Sequence, residues 1–480
     1  MIHKLFSILI GTSLILAACS LPKATTKPEM PRKDETLDDV QGTMVYNSKT
    51  GQYEKVKTNG PTKVDTVLWK PTATKTNAPI GSTKQNTSKP NTGTNSKGGN
   101  ATSATNGSAF KPNANISVPK NSKLKPSYKV ALMLPFFTDK FSELDRQMYD
   151  KSYWALNFYS GAKMAIDTLQ KEGISLNVNV LDTKASEQTV ATLLGMNSLA
   201  DVDLIIGGET KANVKQIADF AKLGDKIYVS PYSSNIENIG QNANFIQITP
   251  NLKNYCEAIV RNIREHHSNV RICCVTRADK ANEKEAATYL QGLTAEIPFS
   301  EVSAETFSPS AQLVSGMTTV FVIPATKDET YIYGLLRKIE AARQAKSPMF
   351  VFGMPSWLNF QVNGFDNFES LKVRIPTTSY IDKDLARQKS FARSFFATYN
   401  TAPTEEAFQG YDLMLYMGRM MHQYGTKFSE IIELAPYSGL STQYLFTRDT
   451  DQLDLSKTNR FYNKYVNILK FENGYFMLEN

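Results

Sequence analysis

The pattern of hydrophobic and polar positions changes near residue 128. From there, short apolar runs such as YKVALMLPF and VDLIIGG are separated by segments like FYSGAKMAIDTLQKEG, in which apolar residues recur every three to four positions. Short apolar runs are typical of strands buried on both faces, and the three-to-four spacing predicts amphipathic helices. Strands that alternate with helices predict a parallel sheet with right-handed crossovers and helices on both faces.

The alternation of strands and helices occurs twice. A first series ends at NFIQITP, and a second runs through LKNYCEAIVRNIREHH, VRICCVT, TTVFVIPA, ETYIYGLLRKIEAARQA and PMFVFGMPSW. The sequence therefore predicts two α/β units of similar size. In such sheets ligands bind beyond the carboxyl ends of the strands, where loops meet helix N-termini.

Hydroxyl, aromatic and small residues follow the predicted strands. Hydroxyls donate and accept hydrogen bonds, and exposed amides at a helix start favour a carboxylate. This chemistry predicts binding of a small polar solute, although each residue taken singly is also an ordinary turn former. The candidate ligand-binding residues are Phe137, Thr138, Glu209, Thr210, Lys211, Tyr232, Ser233, Ser234, Thr326, Ser356 and Trp357.

The first residues predict an exported and lipid-anchored N-terminus. A charged start precedes an apolar run over residues 5–16, which suits a secretory signal peptide of residues 1–18 and is too short to span a membrane. The Leu-Ala-Ala-Cys ending resembles a bacterial lipobox, which implies a lipid on the sulfur of Cys19. Ser20 resembles an outer-membrane sorting signal. The alternative is an ordinary cleaved signal in which Cys19 is incidental.

Residues 19–127 have the composition of a disordered tether. They are rich in Thr, Asn, Lys, Ser, Gly and Pro, so they cannot bury enough apolar surface to offset the entropy of ordering. An apolar island over residues 43–70 interrupts the tether and predicts a small hairpin with a third strand near residues 67–69. Two interpretations stay open: a transient hairpin without function, and a docking segment for a partner or for the chain's own globular part.

The formal charge of +8 comes from the tether and the N-terminus. Residues 1–70 hold ten basic and seven acidic residues and residues 71–127 hold eight lysines and no acid, which leaves 36 basic and 39 acidic residues from residue 128 onward. The globular part therefore has a net charge of −3, so we expect no nucleic-acid partner. The tether lysines promote solubility or attract the chain weakly to anionic lipid or cell-wall polymer.

The sequence offers little support for enzyme chemistry. His266 and His267 fall in the last turn of a predicted helix, where a cation favours the carbonyl end, and no third residue stands at metal-binding spacing from them. His422 is isolated, and the chain has no G-x-S-x-G, Walker or dinucleotide-binding glycine motif. We expect no catalytic activity, no metal and no cofactor.

Three cysteines fall in the second α/β unit. Cys256 lies on its first predicted helix, and Cys273 and Cys274 lie on its first strand and face opposite sides. Buried free thiols are one interpretation. A bridge from Cys256 to either of the others, formed in an oxidising compartment, is the second.

Five stretches carry a resemblance to a known family. They are FYSGAKMAID, IIGGETKANVKQIADFA leading to IYVSPYSSN, VFVIPATKDE, FVFGMPSW and EEAFQGYDLMLYMGRMM. These stretches resemble the type I periplasmic binding proteins, particularly the leucine/isoleucine/valine-binding branch of solute receptors. The resemblance implies that loops after the third and fourth strands, at residues 209–211 and 232–234, hold an amino-acid head group, although Glu209 and Lys211 stand where that family typically has small hydroxyl residues. It also implies a structural role near the hinge for residues 410–412.

The resemblance implies an α/β protein with the two-lobed type I periplasmic-binding-protein fold, each lobe a mostly parallel sheet with helices on both faces, preceded by the disordered tether. We expect lobe one to comprise residues 128–250 and about 376–430, and lobe two residues 251–375 and about 431–480.

The function implied by the resemblance is a lipid-anchored receptor that faces the periplasm, in the outer membrane, and closes over a small polar, amino acid-like ligand for uptake or sensing. The alternative is the same fold reused as an interaction or regulatory module of the cell envelope, with an envelope protein as its partner, for example in peptidoglycan synthesis or outer-membrane assembly.

Overall fold

The computed structural model describes residues 42–47, 52–57, 116–141, 148–233, 239–360, 365–451 and 454–479. The predicted signal peptide, the lipidation site at Cys19, most of the tether with its third strand, and Ser234 lie outside these residues. The chain separates into two compact units, residues 1–99 and residues 100–480.

The described part of the first unit is a two-stranded hairpin. Strand β1 (Gly42–Asn47) pairs antiparallel with β2 (Gln52–Lys57), with Tyr46 opposite Tyr53. Both strands lie in the segment for which the sequence predicts a hairpin.

The second unit contains the alternating strands and helices. In chain order these are β3 (Tyr128–Leu134), α1 (Tyr153–Lys171), β4 (Leu176–Asp182), α2 (Glu187–Leu194), β5 (Leu204–Gly207), α3 (Lys211–Leu223), β6 (Ile227–Ser230), β7 (Phe245–Gln247), α4 (Leu252–His266), β8 (Val270–Thr276), α5 (Ala281–Leu293), β9 (Phe299–Ser303), β10 (Thr318–Val322), α6 (Glu329–Ala341), β11 (Met349–Phe352), α7 (Phe365–Ser370), β12 (Arg374–Thr377), α8 (Ala386–Tyr399), α9 (Glu405–Tyr424), β13 (Tyr437–Ser438), β14 (Gln443–Tyr444), β15 (Phe446–Thr450), β16 (Thr458–Asn463), β17 (Asn467–Glu472) and β18 (Tyr475–Leu478).

Lobe one is built on a sheet with the strand order β15-β16-β7-β6-β5-β3-β4, in which only the edge strand β15 is antiparallel to its neighbour. Helices cover both faces, as β3 shows. Val130 and Leu132 pack towards α1 and α9, whereas Ala131 and Met133 pack towards α2 and α3. Because every residue of this strand after Lys129 is buried, the strand reads as a continuous apolar run.

Helices α1 and α9 of lobe one pack very closely, because glycines lie where they meet. A Cβ atom on Gly161 would lie 1.8 Å from the carbonyl oxygen of Ala407, and a Cβ atom on Gly410 would lie 2.0 Å from the carbonyl oxygen of Phe158. These glycines belong to the FYSGAKMAID and FQGYD stretches. The close contact between the two helices therefore requires glycine at these positions of both stretches.

Lobe two is built on a sheet with the order β18-β17-β12-β11-β10-β8-β9. Strands β8 to β12 run parallel, and β17 and β18 are antiparallel at one edge. Side chains of α4, α5, α6 and α7 and of these strands form one buried cluster. Each lobe is thus a mostly parallel sheet with its own core.

The chain passes between the lobes at residues 248–251, 378–385 and 464–466. The third passage differs from the expected boundary, which assigned residues from about 431 onward to lobe two. Strands β15 and β16 instead complete the sheet of lobe one, and only β17 and β18 enter lobe two. Strand β16 joins the sheet by pairing with β7, some two hundred residues earlier in the chain, so local sequence patterns do not indicate the lobe to which β15 and β16 belong.

The end of the predicted tether also belongs to lobe one. The Ser122 hydroxyl donates to the carbonyl oxygen of Tyr424 at 2.5 Å, and the Lys125 ammonium pairs with Asp203 at 2.6 Å. The globular part therefore includes residues 116–127, which the sequence analysis assigned to the tether.

The three cysteines of lobe two are buried free thiols. Burial raises the pKa of Cys256 to about 12 and that of Cys273 to about 11. Such thiols stay protonated at neutral pH and behave as small apolar groups.

Candidate functional site

The carboxyl edges of both sheets face the junction of the lobes. All three connecting segments leave from the carboxyl ends of strands, namely β7 and β16 in lobe one and β12 in lobe two. Loops that follow the other parallel strands lie along the same edges. The junction therefore brings together the loops that the sequence analysis selected.

The loop after β3 is anchored on a carboxylate. Asp182 accepts hydrogen bonds from the backbone N–H groups of Phe136 (2.9 Å), Phe137 (3.1 Å) and Thr138 (2.8 Å), and from the Thr138 hydroxyl (2.8 Å). Burial raises the pKa of Asp182, but the hydrogen bonds from Thr138, Lys184 and Phe137 outweigh it, and the pKa lies below its ordinary value. Asp182 is therefore ionised at neutral pH. Phe137 is half-buried and Thr138 is exposed at the rim.

The loop after β5 directs its polar groups into lobe one. Glu209 Oε1 accepts hydrogen bonds from the Thr183 hydroxyl at 3.0 Å and from the Asn213 amide at 2.7 Å, and burial raises the pKa of Glu209. The Thr210 hydroxyl caps α3 by accepting the backbone N–H of Asn213 at 3.1 Å. Lys211 is exposed at the start of α3. Glu209 and Thr210 thus have local partners, which the sequence did not reveal.

The loop after β6 carries Tyr232 and Ser233. The Tyr232 ring packs edge-on against Trp154 and Phe158, with centroid distances of 4.3 and 5.5 Å. The Tyr232 hydroxyl is buried, and none of the described residues forms a hydrogen bond with it. It borders a cavity of about 90 Å³ lined also by connecting-segment residues, a volume that suits a few water molecules. Ser233 is half-buried.

A larger cavity of about 430 Å³ lies at the carboxyl edge of lobe two. Thr326, after β10, and Ser356, after β11, both line it. The Ser356 hydroxyl oxygen is buried, and no residue of the described part of the chain bonds to it. Arg460 of β16 lines the same cavity, so the cavity is bordered by both lobes. The volume is within the range of small-molecule sites.

Trp357 does not line this cavity, which corrects the expectation that it contacts a ligand. Its side chain is 1% exposed, and its indole N–H donates to the carbonyl oxygen of Ala325 at 2.7 Å. The ring stacks on Phe360 at a centroid distance of 6.0 Å. A Cβ atom on Gly353 would lie 2.4 Å from the ring, so the glycine of the FVFGMPSW stretch makes room for the indole.

Most polar residues of the larger cavity were not predicted from the sequence. The predicted residues follow strands, whereas these residues lie on helices, at a helix cap or within a strand. Asn251 offered a signal, because it caps α4 in a reciprocal pair with Asn254 and places that helix start at the lobe junction. The polar lining residues that were not predicted are Asn251, Lys253, Tyr255, Asn282, Glu285, Tyr289 and Arg460.

Asp412 of α9 holds the loop beside the second connecting segment. Its fully buried carboxylate accepts the backbone N–H groups of Leu440 (2.7 Å) and Ser441 (2.8 Å) and the Ser441 hydroxyl (2.8 Å). The Ser441 carbonyl oxygen in turn accepts the backbone N–H of Tyr380 at 2.7 Å. Burial raises the pKa of Asp412 to about 6, against the lowering effect of the bonds from Leu440 and Ser441. The residue has a structural role at the hinge.

No group of three or more His, Cys, Asp or Glu side chains in the described part of the chain is placed to hold a metal ion. None of its helices is both long and apolar enough to cross a membrane.

Comparison with solved structures identifies the architecture. Three similar structures are an ABC transporter substrate-binding protein from Desulfitobacterium hafniense in complex with Leu, a branched-chain amino acid ABC transporter periplasmic ligand-binding protein from Burkholderia xenovorans, and an ABC-type branched-chain amino acid transporter protein from Rhodopseudomonas palustris. Each is 13% identical to this chain, with TM-scores of 0.50, 0.52 and 0.51 respectively.

The similarity covers the globular part of this chain. The three matches cover 74%, 74% and 73% of this chain and 100%, 94% and 95% of the compared chains. No protein-family model matches the sequence, and no curated protein matches it. At this identity the likeness shows the fold, and the fold prediction is confirmed.

Proposed function

We propose that this chain, which has the two-lobed fold of the type I periplasmic binding proteins, binds a small polar ligand between its lobes for uptake or sensing. The ligand contacts both lobes, so binding favours the closed arrangement. In this proposal the protein binds its ligand without catalysing a reaction. It is held by a lipid on Cys19 in the bacterial envelope, faces the periplasm and belongs to the outer membrane.

The observation that carries this proposal is the Ser356 hydroxyl in the 430 Å³ cavity. A buried hydroxyl without a hydrogen-bond partner costs free energy, and a ligand held in the cavity that Ser356 lines would supply that partner. Arg460 approaches the same cavity from lobe one. A ligand that bonds to both residues links the lobes.

Lobe one supplies a second wall for the ligand. The Tyr232 hydroxyl is buried without a partner among the described residues, and burial raises the pKa of Tyr232, so the neutral group remains a donor at neutral pH. Thr138, Lys211 and Ser233 lie at the same carboxyl edge. The compared proteins support a solute-binding role, since one of them is a complex with Leu and another is described as a periplasmic ligand-binding protein.

The proposal is tested by a thermal-shift screen of the full chain with amino acids, simple carboxylic acids, amides and amines, short peptides and cell-wall fragments. A ligand bound only by the folded protein raises the unfolding midpoint. We expect Ser356→Ala to weaken binding about fivefold to tenfold, the effect of one lost hydrogen bond of about 1 kcal/mol. The matched control is Ser394→Ala, at an exposed serine of α8. No shift with any compound of the screen, or equal affinity in both variants, would refute the proposal.

A second candidate function is an interaction module of the cell envelope. Four large side chains around the loop after β3 are exposed, namely Phe141 (50%), Met148 (38%), Tyr149 (36%) and Tyr153 (50%). Large apolar side chains exposed within one short segment of the chain are typical of protein contacts. A photo-crosslinker placed at Phe141 in cells should capture one envelope protein that a crosslinker at the exposed Lys338 of α6 does not capture. Equal capture from both positions would argue against this candidate.

A further inference from the structure

We propose, on the basis of the function above, that the ligand is a monocarboxylate whose acid group binds in lobe two at Lys253 and Ser356, with its apolar body towards lobe one. The inference rests on a lysine without a carboxylate partner and a buried hydroxyl that line the same cavity of lobe two. It names the class of ligand and its orientation, which the fold alone does not determine.

Lobe two supplies a cation for the acid group. Lys253 is exposed in the first turn of α4 and lines the 430 Å³ cavity, and no carboxylate of the described residues lies within 4 Å of its ammonium. Glu285, the acidic residue of the lining, already accepts a hydrogen bond from the Tyr289 hydroxyl at 2.8 Å. Arg460 also lines the cavity, but Asp449 balances its charge at 3.2 Å. Lys253 is therefore the cation of the lining that has no carboxylate partner among the described residues, and it suits the acid group of a ligand.

Ser356 supplies a hydrogen-bond donor in the same cavity. Its hydroxyl oxygen is buried and has no partner among the residues that the structure describes. A carboxylate has two acceptor oxygens, so one can accept from the Lys253 ammonium while the other accepts from Ser356. Bonds of this kind, with one ionised partner, are stronger than bonds between neutral groups.

Lobe one offers an ionised carboxylate and aromatic rings. Asp182 is ionised at this edge, so a ligand carboxylate placed beside it meets like charge. The rings of Trp154 and Tyr232 pack edge-on at a centroid distance of 4.3 Å, and Tyr232 follows β6. Such rings suit an apolar ligand body. Lys211 is the lysine of these loops that competes with Lys253 for the acid group, because Lys140 and Lys184 pair with Asp139.

The test uses the full chain and matched sets of small molecules. Each set consists of an acid, its primary amide and the corresponding amine: 3-phenylpropanoate, 3-phenylpropanamide and 3-phenylpropylamine, then hexanoate, hexanamide and hexylamine. The unfolding midpoint is recorded with each compound in chloride buffer at pH 7. We expect the acids to raise the midpoint and the amides and amines to leave it unchanged, because only the acids carry the recognised charge.

Three variants locate the acid group. Lys253→Met should weaken binding of the acids about tenfold to a hundredfold, and Ser356→Ala several-fold. The matched control is Lys338→Met at the exposed end of α6, which should bind the acids as the unaltered chain does. Circular dichroism of each variant confirms that it is folded, which is expected because Lys253 is exposed.

The outcomes separate this inference from the proposed function. Stabilisation by amines, amides or α-amino acids that Ser356→Ala reduces, without stabilisation by the simple acids, would overturn the monocarboxylate inference and keep the proposed function. Loss of the acids' effect in Lys211→Met but not in Lys253→Met would overturn the orientation. No stabilisation by any of these compounds would overturn the inference, whereas the proposed function would fail only if the broader screen were also negative.

Discussion

Replacement of Asp412 by Asn should change how the stability of the protein depends on pH. The carboxylate is 0% exposed, and burial raises its pKa to about 6, compared with about 3.9 for an unfolded aspartate. Because the pKa of Asp412 is higher in the folded state than in the unfolded state, its contribution to the stability of the fold is present below a pH of about 4. This contribution is lost as the pH rises through about 6. A difference of roughly 2 pKa units corresponds to about 3 kcal/mol of unfolding free energy.

Asparagine keeps the shape of the side chain and does not titrate. We therefore expect the difference in unfolding free energy between Asp412→Asn and the unaltered chain to move by about 2 kcal/mol in favour of the variant between pH 4 and pH 7, the greater part of the full effect. Urea unfolding of both proteins at several pH values measures this difference, and contributions of other titrating groups cancel in it. The matched control is Asp167→Asn, at an exposed aspartate of α1, which should change stability by less than about 0.5 kcal/mol at each pH.

The opposite result has a clear physical meaning. The backbone N–H groups of Leu440 and Ser441 and the Ser441 hydroxyl all donate to Asp412, and these bonds favour the ionised form. If they outweigh burial, the difference will move in favour of Asp412 as the pH rises. That outcome, or a difference independent of pH, would refute the reasoning from burial.

Two further predictions concern helix packing and anchoring. Gly161→Ala should lower the unfolding free energy by roughly 1–3 kcal/mol, because the new Cβ atom would lie 1.8 Å from the carbonyl oxygen of Ala407. The control is Gly292→Ala in α5, whose Cβ atom meets nothing within 4 Å and which should raise the unfolding free energy by up to about 1 kcal/mol. Denaturant unfolding measures both, and an unfolding free energy of Gly161→Ala equal to or above that of the unaltered chain would contradict the close packing. Cys19→Ala should release the protein from the membrane fraction or block its processing, and unchanged partitioning with normal processing in cell fractionation would exclude the lipid anchor.

Much of the fold could be predicted because its signals are local. Strands buried on both faces read as apolar runs, and α1 and α9 carry the helical spacing of apolar residues, so the order of elements and the two α/β units follow from the sequence. The same reasoning placed Ser356 and Thr326 at the carboxyl edge of the lobe-two sheet, where both line the larger cavity. It also led to Trp357, which follows the same strand as Ser356 but is buried. The position of a residue after a strand therefore indicates that it lies at the carboxyl edge of the sheet. It does not indicate whether the side chain lines the cavity or is buried in the core.

The sequence by itself determined the alternation of strands and helices, the tether composition and the position of the binding edge, because each depends on residues close together in the chain. Only the tertiary structure decided that β15 and β16 belong to lobe one, that Glu209 bonds to Thr183, and that Lys253 and Arg460 border one cavity. These features join residues from 26 to about 200 positions apart. Their contacts depend on how whole elements pack, and many alternative packings satisfy the same local pattern of hydrophobic and polar positions.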